Sequence, residues 1–410
     1  MRGEGGRHVL KRVLLLLAAA VLLPAVPATP AAADDVLGQL AGDLQAAHDL
    51  ATGRGVTIAI LSDGVDPELR ELTGRLRVAP DLVKRAESDP RFGTLLASMI
   101  AGRSTISGQP IKGIAPAATI LSVRVRPSSI ATHRKFVKVD SLDKVAAGIR
   151  YATDHGAKVV LVEEERGSLS REMMRAIGYA LRKNVVIVTS AQRLVTSEGK
   201  PAPHEALSFP AAIPGVIVVG ATDDKGRWLG KRSARNDTVL LSAPGTRVYA
   251  TGDGNQGGWY IDGSPVAAAW VAGTAALIKE KYPEMSPGAV AQALAASVRN
   301  RPSGGYQPTV GNGMLNPAQA LKQADELSSS PDSAVPGTYA VEPSARFGGP
   351  PPPPIRAAQW DESTLIRYGS ISAGGFLLLL ISLVVAAAAV IRRRRKSREL
   401  GVTNPGPRSP

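Results

Sequence analysis

The sequence predicts an α/β fold in three layers, with a mostly parallel sheet held between helices, plus one C-terminal transmembrane helix. Three observations lead there. Short Val/Ile-rich runs at Val56–Leu61, Ile120–Val125, Val159–Val162, Val185–Val188 and Val216–Val219 are almost continuously apolar, as strands buried on both faces must be. Helical stretches such as Leu142–Thr153 and Arg171–Lys183 lie between them, which is the alternation a parallel sheet requires. Ile371–Ile391 carries no charge, and as a helix it would span about 30 Å, the thickness of a hydrocarbon core.

The two ends set the topology. Arg2, Arg7, Lys11 and Arg12 precede the apolar run Val13–Val26, and Ala31-Ala32-Ala33 offers a small-residue cleavage site before Asp34. Residues 1–33 therefore read as a signal peptide, with an uncleaved anchor as the alternative. Arg392–Lys396 follows the apolar run Ile371–Ile391 directly, so the positive-inside rule puts the C-terminus in the cytoplasm and the main domain outside the cell membrane. Four basic residues in the first twelve, and seven from Arg392 onward, supply most of the formal net charge of +14. The charge thus reflects topology, and no nucleic-acid partner is expected.

The organisation between the ends follows from composition. Residues 34–54 form a short N-terminal extension, 55–327 the folded domain, 328–370 a Pro/Gly/Ser-rich linker, 371–391 the membrane span and 392–410 a basic tail. Pro350–Pro354 gives the linker five consecutive prolines, which read as an extended spacer rather than an SH3-type ligand. Cysteine is absent, so an exported domain here relies on its core without disulfides, and thiol chemistry is excluded. No metal cluster or cofactor motif is present; Asp223 and Asp224 read as an ordinary turn.

Six ordered segments carry a resemblance: G-V-T-I-A-I-L-S-D-G-V from Gly55, I-K-G-I-A-P-A-A-T-I-L-S-V-R-V from Ile111, I-R-Y-A-T-D-H-G-A-K-V-V from Ile149, F-P-A-A-I-P-G-V-I-V-V-G-A-T-D from Phe209, L-S-A-P-G from Leu241 and D-G-S-P-V-A-A-A-W-V-A-G-T-A-A-L-I from Asp262. In this order they resemble the subtilisin-like serine proteases. The layout of signal peptide, short extension, proline-rich linker and single C-terminal helix resembles the mycosins, the membrane-anchored members linked to type VII secretion. The resemblance implies a subtilisin-like fold from about Gly55 to Leu321.

The family's chemistry needs an Asp at a strand end, a His and a Ser at two helix starts, and an Asn that helps hold the oxyanion. Aligned on these motifs, the Asp position holds Ser62, the His position Phe92, the Ser position Pro265 and the oxyanion position Gln192. No catalytic residue is therefore expected at the family positions, and the chain is expected not to be an enzyme, though peptidase activity is left open. Asp63 and Ser264 lie one residue from two of these places and are the candidate substitutes. A one-residue slip turns a strand side chain to the other face and rotates a helical one by about 100°. The histidines offer no replacement: His48, His133 and His155 read as surface residues. Proline at the nucleophile position removes both a hydroxyl and a backbone N–H. Ser264 is read as the cap of the helix that follows, the device repeated at Ser286-Pro287 and Asn316-Pro317.

Where the family has a strand ending S-L-G that pairs with substrate, this chain has Glu163-Glu164-Glu165. Two readings stand: a solvated strand end paired with Arg166, or an acidic site for a peptide ligand. The functional expectation is a membrane-anchored, mycosin-like pseudoprotease that scaffolds or binds at the outer face of the membrane, with type VII secretion components as partners. The alternative is an active endopeptidase with relocated residues.

Overall fold

The computed structural model describes residues 36–84, 90–106, 109–127, 141–194, 200–246, 248–251, 258–329 and 382–392. The predicted signal peptide, most of the linker, residues 371–381 of the predicted span, the tail beyond Arg392 and His133 lie outside them. The chain divides into two units, Met1–Ala340 and Val341–Pro410.

The first unit holds a seven-stranded sheet. Its members are β1 (Thr57–Ser62), β2 (Leu76–Val78), β5 (Thr119–Arg124), β6 (Ala157–Val162), β7 (Val186–Ser190), β8 (Val216–Thr222) and β9 (Val239–Pro244), in the order β2-β5-β1-β6-β7-β8-β9. All six pairings are parallel. Two antiparallel hairpins lie outside it, β3 (Arg103–Ile106) with β4 (Gln109–Lys112) and β10 (Val248–Thr251) with β11 (Gly258–Ile261).

Alternate residues of each strand go to opposite layers, because strand side chains have a period of two. Ile58, Ile60, Val159 and Leu161 enter one core with α1 (Val36–His48), α2 (Arg91–Ala101), α5 (Ser264–Lys281), α6 (Pro287–Ala296) and α7 (Pro317–Ser329). Ala59, Leu61, Val160 and Val162 enter the other with α3 (Ser141–Asp154) and α4 (Arg171–Arg182). Burial on both faces explains why these strands read as unbroken Val/Ile runs. Each such side chain contributes about 1.5–3 kcal/mol relative to an exposed one.

Helix α5 is buried around nearly its whole circumference, as a helix apolar on all sides must be. Its alanines and Gly273 let it approach the sheet and α2 closely. The extension is part of the fold: Leu40, Leu44 and Ala47 of α1 join the first core, and Asp43 pairs with Arg299. Lys279, 1% exposed, donates to Asn184 Oδ1 (2.9 Å), Pro283 O (2.9 Å) and Met285 O (2.7 Å), so its buried ammonium is satisfied by the turn that ends α5.

In the second unit, residues 382–392 are helical, with Leu383, Val384, Val385, Val390 and Ile391 exposed. Among the described residues, no helix is long and apolar enough to cross a membrane. The described helix covers only part of the predicted span.

A Cβ added at Gly273 would lie 2.4 Å from Ile114 Cγ2 and 2.7 Å from its Cβ, too close for the isoleucine to yield by rotating its tip. Gly273→Ala gains about 1 kcal/mol of helix propensity, yet the overpacking should dominate and lower stability by about 1–3 kcal/mol. Urea unfolding checks this; an unchanged or raised midpoint would show that the helix shifts freely at that contact.

Candidate functional site

The carboxyl ends of the parallel strands point to one edge of the sheet, where ligand sites of open α/β folds gather. Ser62 and Asp63 close β1 there, Arg126 follows β5, Glu163–Arg166 follow β6 and Gln192 follows β7, while α2 and α5 begin beside them with Phe92 and with Ser264 and Pro265. The fold thus brings all the predicted site residues to one edge.

Their local roles are structural in several cases. Ser62 is fully buried; its Oγ accepts from Gly64 N–H at 3.2 Å in the turn after β1. Helix α2 starts after Pro90, which has no side-chain acceptor for the free N–H groups. Asp63 supplies one: Gly93 N–H donates to its Oδ1 at 2.8 Å and Phe92 N–H to its Oδ2 at 3.4 Å. The carboxylate is thereby fixed on a helix N-terminus, where negative charge is favoured. The Phe92 ring lies under the Arg126 guanidinium, 5.7 Å from ring centre to Cζ, a cation–π contact.

The start of α5 departs from expectation. Gly263, at φ +136°, occupies the capping position, and no side chain caps the helix; Ser264 is its first residue. Ser264 is 1% exposed, and its Oγ has no hydrogen-bond partner among the described residues. The reading of Ser264 as a cap is corrected, because the sharp Gly263 turn, held by Gly263 N–H to Gly245 O at 2.7 Å, carries the serine past the capping place. The same dipeptide device does operate at Ser286, which accepts from Ala289 N–H at 3.2 Å, and at Asn316, which accepts from Gln319 N–H at 3.0 Å.

Among the other described histidines, His48 bonds Ile114 O, His155 is exposed and stacked on Tyr151, and His204 lies by Ser233 O. None of these three contacts involves Asp63 or Ser264.

The three glutamates form the densest electrostatic feature. Glu163, Glu164 and Glu165 are 4%, 3% and 7% exposed, so the strand end is not solvated. Two backbone contacts explain the burial: Glu163 N–H continues the β-ladder to Leu61 O at 3.0 Å, and Arg166 exchanges both backbone bonds with Phe209, at 2.8 and 2.7 Å. Glu164 is paired with Arg166, as the sequence indicated, and Arg126 Nε lies 3.8 Å from its other oxygen. Thr189 Oγ1 lies 2.5 Å from Glu165 Oε1 and 2.9 Å from Val162 O. One hydroxyl proton cannot serve both acceptors, so a protonated Glu165 donating to Thr189, which then donates to Val162 O, satisfies the chain of bonds.

Titration follows from this packing. Burial pushes Glu163 well above the usual carboxylate range; Arg126 pulls it down, while Asp63, Glu164 and Glu165 raise it further. Burial lifts Glu165 to about 7, while Ser208 and Thr189, which would donate to its ionised form, pull it down. Burial also raises Glu164 and Asp63, opposed chiefly by Arg166 at the first and Arg126 at the second. With Glu163 and Glu165 protonated, two carboxylates face two guanidiniums, the arrangement that avoids uncompensated buried charge. Glu163 Oε1 has no hydrogen-bond partner among the described residues. Arg126, one residue past the quoted segment ending at Val125, is the member the sequence reading missed. The signal lay in the parallel neighbours: a basic residue just beyond β5 comes beside the ends of β1 and β6.

With this geometry in place, comparison with known proteins is informative. Residues 53–313 match the profile of the subtilase family, peptidase S8. Fervidolysin of Fervidobacterium pennivorans is 29% identical over 68% of this chain, which spans 42% of that protein; its structure is described as that of a keratinolytic enzyme related to subtilisin. Mycosin-1 of Mycolicibacterium smegmatis is 27% identical over 71% of this chain and 73% of its own length. A chain of an intact ESX-5 inner membrane complex aligns with a TM-score of 0.58 and 25% identity, over 87% of this chain and 90% of that one. The expectation that this chain is not an enzyme is corrected by these matches: the family is one of peptidases and its relatives include a working protease.

Raised carboxyl pKa values stabilise the fold below the unfolded-state pKa and lose that contribution as pH rises through the folded one. For Glu165 the window runs from 4.5 to about 7, which corresponds to at most about 3 kcal/mol. The thermal midpoint should therefore fall from about pH 5 to about pH 7, inside that window, and Glu163→Gln with Glu165→Gln should flatten the slope. Calorimetry across this range checks it, and a wild-type midpoint that rises with pH would refute the buried-carboxyl assignment.

Proposed function

The chain belongs to the subtilase family, and from that premise we propose that it is a mycosin-like component of a type VII secretion membrane complex, binding its partners at the outer face of the membrane. One observation carries this reading: the likeness to a chain of an intact ESX-5 inner membrane complex extends over most of both chains. Three features of the sequence support it: a signal-peptide pattern at 1–33, a charge-free run at 371–391 and a basic flank beyond it. A span at 371–391 would hold the folded domain outside, with the C-terminus in the cytoplasm.

A second reading, endopeptidase activity through relocated residues, is favoured by family membership and by Ser264. Its unpartnered hydroxyl sits at the start of the helix that carries the family's nucleophile, with Asp63 at the same sheet edge. A peptide ligand held by Glu163, Glu164 and Glu165 has less support, because all three carboxyls are buried and Arg126 and Arg166 already flank Glu164.

Two measurements separate the readings. Membrane complexes purified from cells lacking this chain should be recovered in lower yield and fall apart sooner; equal yield and stability would remove the component role. A fluorophosphonate probe, which labels activated serines, tests the second reading. Labelling of the wild type that vanishes in Ser264→Ala would establish the relocated nucleophile, and absence of labelling in folded protein would remove it.

A further inference from the structure

The two helical layers differ in surface charge. Around α1, α6 and α7 the exposed charges are of both signs, with Asp49, Asp325 and Glu326 against Arg301 and Lys322. Among the described side chains of the α3–α4 layer, Arg150, Arg171, Arg175, Arg182 and Lys183 are all exposed, against Glu172 and Asp154. The Asp154 carboxylate already accepts the Tyr179 hydroxyl at 2.6 Å.

The arrangement on α4 is regular. Met173, Ala176, Ile177, Ala180 and Leu181 fill the core, and at about 100° per residue Arg171, Arg175 and Arg182 fall within roughly 40° of one another on the opposite side. They form a stripe about 16 Å long. Among the described residues none of the three has a carboxylate partner. At one margin, Arg150 of α3 and Lys183 lie over the Tyr179 ring, at 5.7 and 6.0 Å, which continues the basic surface across both helices. At the N-terminal end of α4, Leu169 and Met174 are 41% and 44% exposed.

We propose that the outer face of the α3–α4 layer binds the surface of an anionic phospholipid bilayer. Guanidiniums pair with phosphate through two parallel hydrogen bonds, and each basic group near an anionic surface adds a similar increment of binding. Exposed Leu169 and Met174 suit the boundary between headgroups and acyl chains. The lipid assignment rests in part on the membrane-anchored reading above, because a tether would hold the domain at high effective concentration beside the bilayer and make a weak affinity sufficient.

The test uses residues 36–329, which contain the whole sheet and all three hydrophobic clusters packed on it, in flotation with vesicles of mixed phosphatidylglycerol and phosphatidylcholine. Binding to these vesicles, absent with phosphatidylcholine alone and weakened by salt, is the expected result. Arg171→Gln, Arg175→Gln and Arg182→Gln combined should weaken it roughly a hundredfold, with circular dichroism and thermal midpoint unchanged; the corresponding lysine variants should retain most of it. No flotation at low salt, or equal flotation of the glutamine variant, overturns the proposal. If the domain ignores vesicles while the glutamine variant of the full chain loses an acidic protein partner, the face is a protein interface and the lipid assignment falls. The vesicles contain no secretion component, so either outcome leaves the complex reading to its own test.

Discussion

The parallel ladder of β1 between β5 and β6 is the constraint on which everything else depends. It requires cover on both faces, and that demand explains the unbroken apolar strands, the small residues of α5 and the two separate cores. Because the strands are parallel, their ends also share one edge. Ser62, Asp63, Arg126 and Glu163–Arg166 meet there although they are far apart in sequence.

At that edge the chain has kept the family's architecture and changed its contents. The Asp63 carboxylate is spent on the α2 N-terminus, and the Phe92 ring lies against the Arg126 guanidinium. The glutamates after β6 sit inside, where Arg126 and Arg166 flank Glu164 and burial favours the protonated form of Glu163 and Glu165. Such a cluster is stable only while the charges balance. The sheet edge is therefore tied to the protonation of Glu165, which burial lifts to about 7 and which no sequence motif marks as titratable near neutrality.

Family membership and site chemistry pull in different directions, and both are physical observations. The matched profile and the proteolytic relative point to hydrolysis. The motif alignment expects Ser62, Phe92, Pro265 and Gln192 where the family has its acid, base, nucleophile and oxyanion amide. Ser264 is where the two lines meet, since it is a buried hydroxyl at the start of α5 whose bonding capacity is unused. The outward face of α4 belongs apart from this edge, because its exposed Arg171, Arg175 and Arg182 point away from the core that Met173, Ala176, Ile177, Ala180 and Leu181 fill.

The sequence by itself determined the layer architecture, the strands and the alternation of helices, because periodicity and apolar continuity are local properties of the chain. It also identified the family, since that rests on short motifs, and one of its two readings of the acidic run included the pairing with Arg166 that Glu164 makes. Tertiary structure alone decided what those side chains do. The capping of α2 by Asp63 joins residues thirty apart; the displacement of Ser264 from its capping place depends on the Gly263 turn held by Gly245; and the burial of Glu163–Glu165 depends on Phe209 and on Arg126 arriving from another strand. Burial and charge compensation are set by which distant segments meet, and linear order does not encode that directly.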